Sequence, residues 1–236
     1  MKSDQQNYEA LLHYNAAFIG GFFALYTVLS RSGLLGSAQT SNMLYIVSDI
    51  IGKNPLDFLI RIGSFFFYIA GFVLISWLPE HTDRDMKTIS MWIDILVMLV
   101  IGFFPEDADP VLCLYPVFFA LAFQWCAFKG AYGYVSATIF STNNLRQFTT
   151  ALTSYIMHKD PDMKIKMSFF GITLITYHTG AALAFVLWRI YSVRAIWFGI
   201  LPALSVLSLI ALYQRGKLQS LKGMFAKKKL FPAHLS

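Results

Sequence analysis

Gln39-Thr40-Ser41-Asn42-Met43-Leu44-Tyr45-Ile46-Val47-Ser48-Asp49-Ile50-Ile51-Gly52 is the stretch on which the fold turns. Read as a helix that begins after the polar opening, Met43 to Gly52 covers about 15 Å. That is half of a hydrocarbon core of roughly 30 Å. Ser, Thr and Asn are natural helix N-caps, so the run Gln39 to Asn42 reads as a polar break followed by a half-helix. A second stretch, Ala137–His158, carries Ser141-Thr142-Asn143-Asn144 before an apolar segment. Its helix over Leu145–Met157 would reach about 20 Å. Length alone leaves open whether these two short helices re-enter or span.

Around them lie six longer apolar segments, at about Ala10–Ser30, Leu56–Leu78, Ile89–Phe104, Val111–Phe128, Ile165–Trp188 and Ala195–Tyr213. The 236 residues are 56% hydrophobic and only 14% charged, with a mean hydropathy of +0.55. One soluble core cannot bury that much apolar surface, so the composition indicates an integral membrane protein. The fold class is therefore all-α, with about six transmembrane helices and two short broken or re-entrant ones. The start, Met1 to Glu9, is polar and nearly uncharged, and the long apolar run behind it has no small-residue cleavage pattern, so no cleaved signal peptide is expected. Cys113 and Cys126 fall in one apolar segment, too far apart along it for a disulfide.

The halves correspond at an offset of 101. Phe18 aligns with Phe119, Phe22 with Phe123, Thr40-Ser41-Asn42 with Ser141-Thr142-Asn143 and Leu44 with Leu145; after about eight inserted residues, Gly71 matches Gly180. This predicts two inverted repeats, residues 1–106 and 107–214, followed by a basic tail, 215–236. Duplicated halves with interrupted helices are an architecture of secondary transporters.

Lys and Arg distribution separates the topologies. With both short helices re-entrant and the termini inside, 14 basic residues fall inside, among them Arg84, Lys159 and the tail, and 5 outside, including Lys53 and Arg61. With eight full spans the split is 12 to 6. The positive-inside rule favours six spans in a cell membrane, with both termini cytoplasmic, while an eight-span parallel repeat stays open. Trp77 and Trp92 would then mark the inner interface, and Trp188 and Trp197 the outer one.

Four motifs stand out in order: Gly20-Gly21-Phe22, Gly36-Ser37-Ala38-Gln39-Thr40-Ser41-Asn42, Phe123-Gln124 and Thr142-Asn143-Asn144-Leu145. On them the sequence resembles the YoaK-like family of bacterial membrane proteins of unknown function. The motifs match that family's glycine-rich first helix, its Gln-Thr-Gly-Asn motif and the related motif of the second half. The resemblance implies a six-span, duplicated membrane protein and supplies no substrate. Ser41 replaces a frequent glycine, and Phe23-Ala24 stands where many members carry an acidic residue, which argues against proton coupling through the first helix.

The candidate site gathers the two breaks, Gln39, Thr40, Ser41, Asn42 and Ser141, Thr142, Asn143, Asn144, with Gln124 and His178 as wall residues. Free N–H groups at half-helix starts can hold an anion or a polar solute inside a membrane. Asn42 and Asn143 are expected to face one another. Asp49 lies seven residues beyond Asn42 on the same helix face. His178 could relay a proton, and Asp94 is expected to reach the inner interface near Trp92. A small-solute or ion transporter is the first functional reading, and a non-transporting scaffold, whose breaks only pack helices, is the alternative.

No nucleotide loop, metal spacing or nucleophile motif is present, so no enzyme activity, cofactor or metal is expected. The expected partners are membrane lipid and a small polar solute or anion. Nucleic acid is not among them, and a homo-oligomer is compatible with the sequence.

Overall fold

The computed structural model describes the backbone of residues 2–30, 35–37 and 39–230, and side chains of 4–30, 35–37 and 39–216. Eight helices carry the described chain: α1 (Lys2–Ser30), α2 (Gln39–Gly52), α3 (Pro55–His81), α4 (Met86–Ile101), α5 (Pro110–Ala127), α6 (Thr142–His158), α7 (Pro161–Tyr191) and α8 (Ile200–Leu230). A two-residue hairpin, β1 (Gly130–Ala131) and β2 (Tyr134–Val135), lies between α5 and α6, and a 3₁₀ segment, Ser192–Gly199, joins α7 to α8. Each expected apolar segment falls on a helix, except that Ala195–Gly199 lies in the 3₁₀ segment, and the breaks shift: Gln39 to Asn42 and Thr142 to Asn144 are the first turns of α2 and α6. The tail is continuous with α8 to Leu230, where the sequence suggested a span ending at Tyr213.

Local chemistry sets the helix starts. Pro occupies the first turn of α3, α5 and α7, where its missing N–H costs nothing. Asp109 Oδ1 accepts from Val111 N and Leu112 N at 2.9 Å, and Asp85 accepts from Thr88 N at 3.1 Å. The α2–α3 and α6–α7 turns are alike. Lys53 (φ 56°) precedes Asn54-Pro55, and Lys159 (φ 55°) precedes Asp160-Pro161. In both, a left-handed lysine ends the short helix before proline opens the long one.

Among the described residues, four stretches are long and apolar enough to cross a membrane: Asp4–Ser30, Pro55–His81, Pro110–Ala127 and Pro161–Gly216, the last running through α7 and α8. Large apolar side chains cover the outside, including Leu44, Ile51, Leu59, Phe66, Leu96, Ile175 and Leu201. In water such a surface would be a liability, whereas in lipid it is the solvated face. The chain thus has the build of a membrane protein.

Inside, α1 packs on α7, α3 on α5, α2 on α3 and α6 on α7, while α4 and α8 meet each other and flank α5 and α1 respectively. The two principal crossings pair the same residue types, a glycine on one helix with a phenylalanine carbonyl on the other. A Cβ added to Gly180 would lie 2.0 Å from the Phe18 carbonyl oxygen, and one on Gly71 would lie 2.5 Å from that of Phe119. Each glycine follows a buried tyrosine by three positions, Tyr177 and Tyr68. Backbones meet this closely only where no side chain intervenes. Gly21 meets the Tyr177 carbonyl in the same way, and neighbouring Gly20 meets Thr138 of the α5–α6 connection.

One end of the bundle holds the Lys87–Glu9 ion pair and the stacked rings of Tyr8 and Tyr213. The other holds Glu106 with Ser192, and Tyr26 donating to the Val193 carbonyl at 2.7 Å. We refer to these as the lower and upper ends.

Candidate functional site

The second break builds the most extensive buried polar network. From the lower end of α5 the chain forms the β1–β2 hairpin and then climbs into the bundle, where Ser136, Ala137, Thr138 and Ile139 are all buried. Non-helical backbone inside a membrane bundle must be satisfied by protein or cavity water. Here Asn144 satisfies much of it: its Nδ2 donates to the Ala137 carbonyl at 2.7 Å and the Phe140 carbonyl at 3.1 Å. Its Oδ1 accepts from Ser136 Oγ at 2.9 Å, and Ser136 Oγ is 2.9 Å from His13 Nε2. Gln124 Nε2 donates to the Ala16 carbonyl at 2.8 Å and to Thr138 Oγ1 at 3.3 Å.

Those bonds decide what the His13–Ser136 pair can do. Asn144 uses its donors on two carbonyls, so its oxygen takes the Ser136 proton, and His13 Nε2 must itself donate to Ser136. A nucleophilic serine would need the opposite polarity. The arrangement is a structural relay from α1 to α6.

Beside this network lies an open cleft of about 550 Å³ lined by Trp125, Ser136, Phe140, Thr142, Asn143 and Arg146, among others. Asn143 is exposed on its rim and accepts from Arg146 Nη2 at 2.9 Å. Ser141, half-buried, stands at the start of α6 and makes no side-chain cap bond.

The first break is organised around an arginine. Asn42 is buried; its Nδ2 donates to Ser64 Oγ at 3.0 Å and to Gln39 Oε1 at 3.3 Å, and its Oδ1 accepts from Arg61 Nη1 at 3.2 Å. Arg61 Nε also pairs with Asp49 Oδ2 at 3.1 Å, and its guanidinium lies 4.5 Å over the Tyr45 ring. Positions 42, 45 and 49 form one face of α2, so the expected Asn42–Asp49 face exists, and Arg61 reads it along its length. Thr40 and Ser41 point to the exposed side. A second cleft, of about 340 Å³, includes Tyr45, Asp57, Arg61 and Asp109 near the upper end.

The structure brings together Gln39 with Asn42, and Gln124 with the Asn144 network. It does not join the two breaks through Asn42 and Asn143. α2 packs principally on α3 and α6 on α7, and each asparagine has its own neighbours. The buried member of the second pair is Asn144, one position further on, because it faces the climbing loop while Asn143 turns outward. His178 does not line the interior either. Tyr177 and Gly180 take the inward positions of α7, leaving His178 exposed with its Nδ1 2.8 Å from the Leu174 carbonyl.

Asp94 lies away from the interface expected for it. It is fully buried beside Ser90, Met91 and Met98, while Trp92 takes the exposed face. His13, Arg61, Ser64, Ser136 and Thr138 were not singled out by the sequence reading. The signal for the first two was a charged or titratable residue inside an apolar run, and the small hydroxyls gave none. Cys113 and Cys126 on α5 form no disulfide, and among the described residues no group of three His, Cys, Asp or Glu gathers to hold a metal.

Residues 12–210 match the family described as Protein of unknown function (DUF1275), and the chain belongs to that family. No curated protein and no solved structure matches the chain.

Proposed function

We propose that this chain is a six-span membrane protein of two inverted repeats that passes a small polar solute or an ion past its two re-entrant breaks. The observation that carries this reading is the second break: polar, non-helical backbone buried in the bundle and adjoining an open cleft through Ser136. Such backbone at depth is characteristic of transporters and channels. The paired crossings at Phe18/Gly180 and Phe119/Gly71, with the Lys53-Asn54-Pro55 and Lys159-Asp160-Pro161 turns, support duplication. The likeness to YoaK-like proteins agrees with it. On this reading the lower end is cytoplasmic, the membrane is the cell membrane and no chemical step is catalysed.

A scaffold is the second reading, favoured by the separate surroundings of Asn42 and Asn143 and by the hydrogen bonds that knit each break to its neighbours. Isosmotic swelling of proteoliposomes in chloride, acetate, urea and glycerol discriminates the two. Transport predicts swelling in at least one solute, and a clear loss of it in Asn143→Leu at unchanged expression. Lipid-like permeability in all four, with protein inserted and folded, leaves only the scaffold.

A further inference from the structure

The cleft at the second break has an unbalanced charge. Arg146 lines it and stands in the second turn of α6, about 18 Å along the helix from His158 at the lower end. Among the described residues its guanidinium makes a single hydrogen bond, to neutral Asn143, and no ion pair. From Pro110 to His158 the sequence contains no Asp or Glu at all. Arg61, the cation at the first break, has Asp49 against it. A guanidinium keeps its charge, and a charged side chain at membrane depth is retained where something pairs with it.

The rest of the cleft describes that missing partner. Its volume, about 550 Å³, is in the range of small-molecule sites. Trp125, Val135 and Phe140 supply apolar wall, while Thr142 and Asn143 add polar groups near the cation. A guanidinium fork matches a carboxylate or phosphate through two parallel hydrogen bonds. No second cation lines the cleft, so a second negative charge on the ligand would have no partner there.

We propose that this cleft binds a monovalent oxyanion with an apolar body, held at its charged end by Arg146 and along its body by Trp125 and Phe140. A soluble organic acid and the acidic headgroup of a lipid share this chemistry. The inference rests on the second break being the polar site of the proposed function, and binding can be measured apart from movement.

The test uses the full chain in phosphatidylcholine nanodiscs, titrated calorimetrically with hexanoate and with its uncharged counterpart hexanamide. Hexanoate should bind saturably and hexanamide at least about tenfold more weakly, the scale of one lost charge-assisted hydrogen bond. Arg146→Gln should weaken hexanoate by a similar factor and Arg146→Lys by less, with melting temperatures near that of the parent protein. A second arm counts phosphatidylglycerol retained by each protein in native mass spectrometry. Retention lost in Arg146→Gln, with hexanoate competing in the parent, identifies a lipid occupant; equal retention alongside Arg146-dependent hexanoate binding identifies a soluble acid. Hexanamide binding as well as hexanoate overturns the proposal, as does undiminished hexanoate binding by Arg146→Gln, or Arg146 dependence in neither arm. Binding without proteoliposome swelling would keep this site and remove transport, whereas swelling without binding would do the reverse.

Discussion

Asn143 and Asn144 are adjacent in sequence and opposite in consequence. Asn144 holds two loop carbonyls and the Ser136 hydroxyl in a buried network, so Asn144→Leu leaves at least three polar groups to find new partners. Each unsatisfied buried group costs about 1–3 kcal/mol, and a loss on the order of 3 kcal/mol is expected after partial relaxation. Asn143→Leu removes one exposed bond and should change stability by less than about 0.5 kcal/mol. Thermal unfolding of the two variants in mild detergent checks the contrast, and equal melting temperatures would mean that the Asn144 network is not holding the loop. Asp94 gives the converse case. Both carboxyl oxygens are buried without a partner, on a face of α4 shared with Met91 and Met98. Asp94→Leu should therefore raise the melting temperature, because a well-packed apolar side chain replaces an unsatisfied polar one. A lowered melting temperature would reveal a polar partner for this carboxyl in the folded protein.

Among the elements, the glycine crossings carry the tightest constraint. A methyl group at Gly180 or Gly71 must displace backbone carbonyls rather than a flexible side chain, and so must force α7 from α1 or α3 from α5. Gly180→Ala and Gly71→Ala should each destabilise by about 3 kcal/mol or more, as severe overpacking does. Ala substituted at Gly133, whose Cβ would meet open space, separates packing from backbone effects: φ is +81° there, so only strain acts. Gel filtration of the three variants should show loss of the monodisperse peak in the first two. How much of this was legible follows from the same physics. Apolar length located the long helices, and the Gly71–Gly180 match gave a repeat correspondence whose role at the crossings only the packing reveals. The side-chain partners were not legible, because the α5–α6 connection brings together residues as distant as His13 and Ser136. One residue of helix phase decided that Asn144 and Tyr177 face inward while Asn143 and His178 do not. Arg61 sits inside the Leu56–Leu78 run, and spacing could not pair it because its counter-ion, Asp49, lies on a different helix.

At the level of the whole molecule, the arrangement of ends follows from packing, and their assignment to membrane sides follows from charge. The Lys87–Glu9 pair places the start of α4 beside the start of α1, and Tyr213 stacks on Tyr8, so the N-terminus, the α3–α4 turn and the end of the last apolar span share one end. Asp57 and Asp109 line one cleft at the other end, near the α2–α3 and α4–α5 turns. α2 departs from that end only by its own length, about 21 Å for 14 residues, and its start is buried against Ser64 of α3. That length and burial are what the proposed re-entrant path requires of it. In the six-span arrangement proposed above, the positive-inside rule would put Arg84 and Lys159 in the cytoplasm, and Lys53 and Glu106 outside. Single cysteines at positions 53, 84, 106 and 159, in a background with Cys113 and Cys126 replaced by Ala, should divide cleanly with a membrane-impermeant maleimide on intact cells: labelling at 53 and 106, and protection at 84 and 159 until the membrane is opened. Labelling at 84 but not at 53 would require both short helices to cross, and would replace the six-span inverted arrangement by eight spans in parallel halves.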